Sequence, residues 1–155
     1  MTDDQRALQA SIRAELGITD HFDAQEEIER RVRFLSDYLL RTGCRSLVLG
    51  ISGGVDSLAA GCLSQRAVEQ ARQQGHQAQF IAVRLPYGEQ ADEKDAQGGL
   101  KVINPDQTLV VNVKPASDAM LEQLLASGLK FRDAAQQDFL MGNIKARQQI
   151  GRAHV

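Results

Sequence analysis

The residues whose types and spacing can do chemistry form one short stretch, Ser52-Gly53-Gly54-Val55-Asp56-Ser57. Adjacent glycines let the backbone turn tightly and bring its N–H groups close to an anion. A helix that begins directly afterwards adds unpaired N–H donors and the positive end of its dipole. Asp56 would repel a phosphate group unless a cation lies between them, and Mg²⁺ has the required preference for oxygen ligands. The stretch therefore predicts a loop that binds phosphate together with Mg²⁺.

The same loop has no lysine between Gly50 and Ser57, which separates it from the common P-loop. In that motif a lysine contacts the β and γ phosphates. A loop that binds these two phosphates as one unit would instead stabilise pyrophosphate as a leaving group, so that attack falls on the α-phosphorus. The alternative interpretation is a Gly-Gly turn that only caps a helix, with Asp56 favoured by the helix dipole. The apolar run before the loop favours phosphate binding.

The elements that position this loop alternate between apolar strands and helices. Strands are predicted over residues 46–50, 80–83 and 108–113. Helices are predicted over residues 5–16, 23–43, 58–73, 90–102 and 117–126, with a last helix from about residue 132. This order predicts an α/β fold, a Rossmann-like parallel sheet with helices on both faces. Ligands bind such sheets at the carboxyl ends of the strands, which selects residues 51–57, 84–90 and 114–117.

The composition narrows the possible classes of function. Of the 155 residues, 43% are apolar and 25% are charged, with a formal net charge of −2, as in one ordinary soluble domain. Because no basic block is found, nucleic acid and membrane surfaces are not expected as partners. No signal peptide and no membrane-spanning run are expected. Cys44 and Cys62 lack the spacing of a zinc site and are expected to be buried thiols in the reducing cytoplasm.

Taken together, these sequence motifs resemble those of a known superfamily. A Ser-Gly-Gly-x-Asp-Ser loop after a buried strand is similar to the pyrophosphate loop of the ATP pyrophosphatases, which include NAD, GMP and asparagine synthetases and tRNA-modifying ligases. Further segments narrow the resemblance to ammonia-dependent NAD synthetases. The matching segments are Leu47 to Ser57, Ile81 to Gly88, Gln90 to Glu93 and Gly142 to Arg147. The resemblance extends over roughly residues 23–147.

The resemblance implies that one stretch binds the ATP phosphates and that Asp56 within it ligates Mg²⁺. This stretch consists of Gly50, Ile51, Ser52, Gly53, Gly54, Val55, Asp56 and Ser57. Arg84 resembles the residue that contacts the adenosine part of ATP, and Gln90 is a second candidate. From its position alone, Arg84 can also be interpreted as a solvated arginine at a strand end.

The last motif implies a second substrate site. Asn143 and Arg147 lie four residues apart on one helical face, and the matching helix of the family uses them with Phe139 around deamido-NAD. Arginine suits such a site because its fork pairs with phosphate oxygens. Without the resemblance, a surface helix with a basic residue is the preferred interpretation. Tyr38 lies on a helix that resembles part of the family's homodimer interface, with core or surface packing as the alternative.

The reaction that the resemblance implies agrees with the loop. The nicotinate carboxylate of deamido-NAD attacks the α-phosphate of ATP, and ammonia then displaces AMP to form NAD. No catalytic side chain is assigned, because the substrate carboxylate makes the first attack. The implied partners are ATP, deamido-NAD and ammonia, with Mg²⁺ stabilising the leaving pyrophosphate. The alternatives are an inactive nucleotide-binding fragment and another ATP pyrophosphatase, such as a GMP-forming or tRNA-modifying ligase.

The sequence departs from the family pattern after residue 149. The family's chain continues with further strands, a second acidic metal ligand and a basic segment, whereas residues 150–155 do not match it. Residues 1–149 are therefore interpreted as the N-terminal part of the synthetase domain, and residues 150–155 as a non-native tail. A parallel sheet that stops at its third strand is expected to expose an apolar edge.

Overall fold

The computed structural model describes residues 2–18, 22–88 and 93–150. The chain falls into two compact units, Met1–Arg31 and Val32–Val155, which divide inside the second helix. None of the helices in the described part of the chain combines the length and apolar character that a membrane span requires.

The first unit contains helix α1, Asp3–Glu15, and the beginning of helix α2, Ala24–Thr42. Thr2 and Gln5 form a capping box at the start of α1, in which each side chain accepts a backbone N–H of the other residue. Asp23 caps the start of α2, since its Oδ1 accepts a hydrogen bond of 2.9 Å from the N–H of Glu26. Both predicted helices are thus present.

The second unit is built on a three-stranded parallel sheet. The strands are β1 (Ser46–Gly50), β2 (Gln79–Arg84) and β3 (Gln107–Val110), in the spatial order β1-β2-β3. The remaining helices are α3 (Val55–Gln73), α4 (Glu93–Ile103), α5 (Lys114–Ala126) and α6 (Ala134–Ile150). The predicted α/β fold, a Rossmann-like parallel sheet flanked by helices, is confirmed.

Two predicted boundaries are wrong at the third strand. The strand ends at Val110, three residues earlier than predicted, and α5 begins at Lys114. Pro115 lies in the first turn of α5, where its fixed φ suits a helix and its missing N–H costs nothing. Residues 114–117, predicted to be a loop, are therefore the first turn of a helix.

The core lies on the side of the sheet that faces α3 and α4. Side chains alternate along β2, so that Phe80, Ala82 and Arg84 are buried. The residues that form the core cluster are Leu39, Ile51, Val68, Ala71, Phe80, Ala82, Leu100 and Ile103. The packing of α3 on α4 is close, because a Cβ atom at Gly61 would lie 2.5 Å from Ile103 Cδ1.

An ion pair fixes the opposite end of the sheet, at the amino end of β2. Arg72 of α3 pairs with Asp106 at 2.6 Å, and the same carboxylate accepts the N–H of Phe80 at 2.7 Å. Although partial burial raises the pKa of Asp106, the bonds from Arg72 and Phe80 outweigh it and hold that pKa below its usual value. One carboxylate thus ties α3, β2 and the turn before β3 together.

Two surface expectations have different outcomes. All four residues of β3 are exposed, with Leu109 at 40% and Val110 at 62%, as expected for an apolar sheet edge.

The expectation of two buried thiols is wrong, since Cys44 is exposed and Cys62 is half-buried. Cys44 follows the end of α2 directly before β1, in a connection that runs over the surface.

Candidate nucleotide-binding site

The loop after β1 is closed by its two serines. Ser57 Oγ donates to the carbonyl of Gly54 at 2.9 Å and accepts from Ser52 Oγ at 3.2 Å. Ser52 Oγ in turn accepts the N–H of Gly54 at 3.3 Å. These bonds bring the start and the end of the predicted phosphate loop together, so that the loop forms a small ring beside the start of α3.

The two glycines of the loop differ in their surroundings. Gly53 has a φ of +90°, a left-handed conformation that side chains rarely adopt, and a Cβ there would lie 3.3 Å from the backbone nitrogen of Ala96. Gly54 is the N-cap of α3, and no side chain caps that helix. The first-turn N–H groups of α3 are therefore suitable donors for an anion, since a helix start is a general anion site.

Asp56 lies in the first turn of α3 and is exposed. Within residues 2–18, 22–88 and 93–150, no three His, Cys, Asp or Glu side chains are grouped closely enough to hold a metal ion. Mg²⁺ is commonly bound by one or two carboxylates together with the phosphates of a substrate. A single exposed carboxylate beside a phosphate loop fits that mode of binding and does not fit an all-protein metal site.

Arg84 ends β2 and is only 2% exposed, so the interpretation as a solvated arginine is wrong. The N–H of Ile51 donates to the carbonyl of Val83 at 2.9 Å, which continues the β1–β2 pairing into the phosphate loop. The carbonyl of Arg84 accepts the N–H of Val111 at 2.8 Å. The structure therefore places Arg84 on the strand next to the loop, whereas Gln90 lies outside the described residues.

The predicted substrate residues on α6 form one stripe along the helix. Phe139, Asn143 and Arg147, named here the α6 stripe, are spaced four residues apart, and Phe139 is 75% exposed. Asn143 Nδ2 donates to the carbonyl of Phe139 at 3.1 Å, and Arg147 Nη1 donates to the carbonyl of Asn143 at 3.5 Å. These two hydrogen bonds lie within α6 itself, and neither of them joins the stripe to the loop after β1.

A second cluster lies just after β2 and was missed by sequence reasoning. Tyr87 donates its hydroxyl proton to Asp118 Oδ1 at 2.5 Å, and Lys114 Nζ pairs with Asp118 Oδ2 at 2.5 Å. Lys145 of α6 places its Nζ 3.7 Å from the centre of the Tyr87 ring. Tyr87 and Lys145 lie inside the recognised motifs, and the spacing of Lys114 and Asp118 is typical of a helical ion pair.

The charges of this cluster shift its ionisation in a consistent way. The hydrogen bond to Asp118 raises the pKa of Tyr87, because the phenolate would face a carboxylate. The bond from Lys114, followed by that from Tyr87, lowers the pKa of Asp118. Asp118 likewise raises the pKa of Lys114. Near neutral pH the cluster therefore holds a neutral phenol, a carboxylate and an ammonium group.

The fold and the loop define a Rossmann-like α/β protein with a glycine-containing, lysine-free loop at the end of its first strand. The family model "NAD synthase" matches residues 27–153. Because this match covers most of the chain, the protein belongs to the NAD synthase family.

Named relatives agree with this assignment. The NH(3)-dependent NAD(+) synthetase of Streptomyces coelicolor is 60% identical over 144 residues, which are 93% of this chain and 52% of that protein. The enzyme of the same name from Burkholderia mallei is 54% identical over 147 residues, 95% of this chain and 52% of its own length. The chain thus spans about half the length of the curated relatives that it matches.

Solved structures agree with the fold. The crystal structure of NAD+ synthetase from Burkholderia pseudomallei has a TM-score of 0.87 at 53% identity, covering 94% of this chain and 63% of that one. The structure of NMN synthetase from Francisella tularensis has a TM-score of 0.66 at 23% identity, covering 86% of this chain and 50% of that one. The second likeness concerns the fold alone.

Proposed function

We propose that this chain is the ATP-binding part of an ammonia-dependent NAD synthetase. The observation that carries the proposal is the serine-closed loop at the start of α3, which has Gly53 and Gly54 where a backbone must approach phosphate and lacks the lysine of γ-phosphoryl transfer. The names of the Streptomyces and Burkholderia relatives support the same activity.

The ATP site of this proposal is the end of β1 with its neighbour on β2. Residues Gly50 to Ser57 bind the β and γ phosphates, and Asp56 holds Mg²⁺ against them. When bound, that ion would offset charge developing on the leaving pyrophosphate. Arg84 contacts the adenosine part of ATP, which is consistent with its burial on the strand beside the loop. Gln90 is proposed as a further ATP contact.

The deamido-NAD site of this proposal is the α6 stripe. The fork of Arg147 suits a dinucleotide phosphate, the amide of Asn143 offers both a donor and an acceptor, and the exposed ring of Phe139 suits an aromatic base. Phe139 is 75% exposed, so its ring is accessible to a ligand.

The proposed reaction needs no covalent enzyme intermediate. A carboxylate oxygen of deamido-NAD attacks the α-phosphorus of ATP, the bond to the β-phosphate bridging oxygen breaks, and pyrophosphate leaves. Ammonia then attacks the resulting acyl adenylate, loses a proton, and expels AMP to leave the amide of NAD. The phosphate loop contributes by presenting fixed N–H and hydroxyl donors to the departing pyrophosphate.

The same proposal includes the boundaries and the setting of the protein. Residues 1–149 would belong to the synthetase domain. The partners are ATP, deamido-NAD and ammonia, with neither nucleic acid nor membrane, in a cytoplasmic homodimer. Tyr38 is 47% exposed on α2, which is consistent with a place in the dimer interface.

Two alternatives make different predictions. An inactive nucleotide-binding fragment is favoured by the exposed strand β3. Another ATP pyrophosphatase, such as a GMP-forming or tRNA-modifying ligase, would use the same loop with a different acceptor. Asn143 and Arg147 of the α6 stripe lie within the Gly142 to Arg147 segment that resembles the NAD synthetases, which favours deamido-NAD over these acceptors.

A pair of measurements separates these possibilities. Calorimetric titration of the chain with Mg-ATP should show binding, and Asp56→Asn should weaken it by about tenfold, the scale of one lost charge-assisted contact. Asp4→Asn is the matched control, because Asp4 is an exposed aspartate in the first turn of another helix, α1.

The second measurement is release of AMP from ATP, with ammonium present and deamido-NAD added or omitted. Release that depends on deamido-NAD supports the synthetase. ATP binding without such release supports the inactive fragment, and a folded chain that binds no Mg-ATP contradicts every version of the proposal.

A further inference from the structure

We infer that Tyr87 and Lys145 are positioning residues for deamido-NAD, because their contact fixes the rotation of α6 that turns the α6 stripe toward the substrate. The inference rests on the proposed function of the stripe and adds a role for two residues that do not themselves belong to it. The ring of Tyr87 belongs to a hydrogen-bonded cluster, named here the Tyr87 seat, which consists of Tyr87, Lys114 and Asp118.

The Tyr87 seat is held in place from several directions. The Tyr87 hydroxyl donates to Asp118, whose other oxygen pairs with Lys114, each at 2.5 Å. Asn112 Oδ1 accepts both the N–H of Gly88 at 3.1 Å and the N–H of Lys114 at 2.9 Å. The loop after β2 and the first turn of α5 are thus joined through side chains and through backbone. The ring therefore has a defined place at the carboxyl edge of the sheet.

Lys145 binds this seat from α6. Its Nζ lies 3.7 Å from the ring centre, closer than the 5.0 Å of Lys114, and a cation over a tyrosine face is attracted by the ring quadrupole. Lys145 follows Asn143 by two residues, which is roughly 200° around a helix. The lysine and the α6 stripe consequently lie on opposite faces of the same helix, and a contact on one face sets the direction of the other.

Apolar packing also acts on this rotation. Ile144 is the buried residue of the motif, about 100° from the stripe, so its burial limits how far the helix can turn. The lysine contact adds an attraction that favours the rotation at which its charge lies over the ring. Substrate atoms must be placed to within about 1 Å for efficient reaction, so a small rotation of the stripe has a large effect.

The seat also lies close in sequence to the proposed ATP site. Tyr87 follows Arg84 by three residues, and Arg84 ends the strand beside the phosphate loop. The segment that bears the buried Arg84 therefore also bears the ring on which α6 rests. This arrangement links α6, which would bind deamido-NAD, to the end of β2, which would bind ATP. The carboxylate of deamido-NAD must reach the α-phosphorus of that ATP.

The test compares five variants of the full chain. Lys145→Met and Tyr87→Leu remove the contact, Tyr87→Phe keeps the ring but loses its anchor on Asp118, and Lys145→Arg keeps a cation over the ring. Lys130→Met is the matched control, because Lys130 is an exposed lysine after α5. The readouts are hydrogen exchange of the α6 amides, and calorimetric affinities for deamido-NAD and for Mg-ATP.

We expect Lys145→Met and Tyr87→Leu to weaken deamido-NAD binding about threefold to fivefold, the scale of one cation–π contact. Exchange of the α6 amides should become faster in the same two variants, while Mg-ATP affinity stays unchanged. Lys145→Arg should bind deamido-NAD as tightly as the unaltered chain does. The affinity of Tyr87→Phe should lie between those of the unaltered chain and of Tyr87→Leu. This pattern supports a positioning role, since a structural defect would move both ligands and would not be rescued by arginine.

Three results overturn the inference. The first is unchanged deamido-NAD affinity in Lys145→Met and Tyr87→Leu, and the second is an equal loss in Lys130→Met. An equal loss of Mg-ATP affinity in the two contact variants also overturns it, because the contact would then serve general folding. If the unaltered chain binds Mg-ATP but no deamido-NAD, the proposed substrate site itself is contradicted, a result distinct from these.

Discussion

The N–H of Ile51 donates a hydrogen bond of 2.9 Å to the carbonyl of Val83, one residue before the end of β2. The parallel pairing of β1 with β2 therefore extends into the first residue of the phosphate loop. Ile51 is also 4% exposed, so that the loop begins from a buried, hydrogen-bonded anchor. A loop held in this way can present its N–H groups without a large ordering cost when a ligand binds.

Gly53 should tolerate no side chain. Gly53→Ala places a Cβ at φ +90° and 3.3 Å from the nitrogen of Ala96, so both strain and contact oppose it. We expect a loss of about 1–2 kcal/mol in the free energy of unfolding and a Mg-ATP affinity lowered by about tenfold or more, because the loop must shift. Urea denaturation and calorimetry measure the two effects.

The control for this change is Gly98→Ala in α4. A Cβ at Gly98 meets no atom within 4 Å, and alanine stabilises a helix interior by about 0.5–1 kcal/mol over glycine. The control should thus be neutral or stabilising and leave Mg-ATP affinity unchanged. Equal ATP binding by Gly53→Ala and the unaltered chain would mean that the loop does not approach phosphate closely.

Binding of Mg-ATP should require the guanidinium group of Arg84 and not only its positive charge. Because Arg84 is buried on the strand beside the phosphate loop, Arg84→Lys keeps a cation but loses the planar fork. We expect Mg-ATP affinity to fall by about tenfold, the scale of a lost charge-assisted bond. Arg66→Lys on the exposed face of α3 is the matched control and should have no effect. An unchanged affinity in Arg84→Lys would remove Arg84 from the ATP site.

Asp106 should make the stability of the second unit depend on acid pH. Its pKa in the folded chain is lowered from 3.8, so its stabilisation is complete above that value and disappears as pH falls through the lower, folded pKa. Asp106→Asn should cost about 1–3 kcal/mol near pH 7, because Arg72 and the N–H of Phe80 lose a charged acceptor. Urea denaturation from pH 7 to pH 2 should show the two proteins converging in acid, and a constant difference would contradict this assignment.

Tyr87 should titrate above the usual range of a phenol. The chain has two tyrosines, so Tyr38→Phe leaves the absorbance of Tyr87 alone near 295 nm. The pKa of Tyr87 is raised above 10.0 by its bond to Asp118, so the phenol should stay protonated to higher pH. Asp118→Asn removes the carboxylate and should lower this pKa, while Asp138→Asn is an exposed control on α6. An unchanged titration in Asp118→Asn would contradict the hydrogen bond.

The sequence predicts the centre of the fold well because its signals there are local. The predicted strand over residues 46–50 is the observed β1, since an apolar run between Gly43 and the glycine-rich loop has clear limits. The start of α3 was placed at Leu58, whereas the helix begins at Val55. Gly54 caps the helix, so Val55-Asp56-Ser57 is both the end of the loop motif and the first helical turn.

The errors arise where distant contacts override the local pattern. The alternation through Val113 predicted a longer β3, but the regular strand ends at Val110, and Asn112 accepts two backbone N–H groups, from Gly88 and Lys114, just before α5. The Tyr87 seat was missed for a similar reason, because Tyr87 and Asp118 lie 31 residues apart in sequence. The burial of Arg84 likewise is a property of the folded chain that its neighbours in sequence do not indicate.

The measurement that tests the central claim most directly is competition for bound Mg-ATP by inorganic pyrophosphate and by AMP. A loop that binds the β and γ phosphates as one unit should be occupied by Mg-pyrophosphate, which should displace ATP from the unaltered chain and do so less well from Asp56→Asn. AMP, which lacks both phosphates, should displace ATP far more weakly. Displacement by AMP with no displacement by Mg-pyrophosphate would contradict the account, because the loop at Ser52 to Ser57 would then not be a pyrophosphate site.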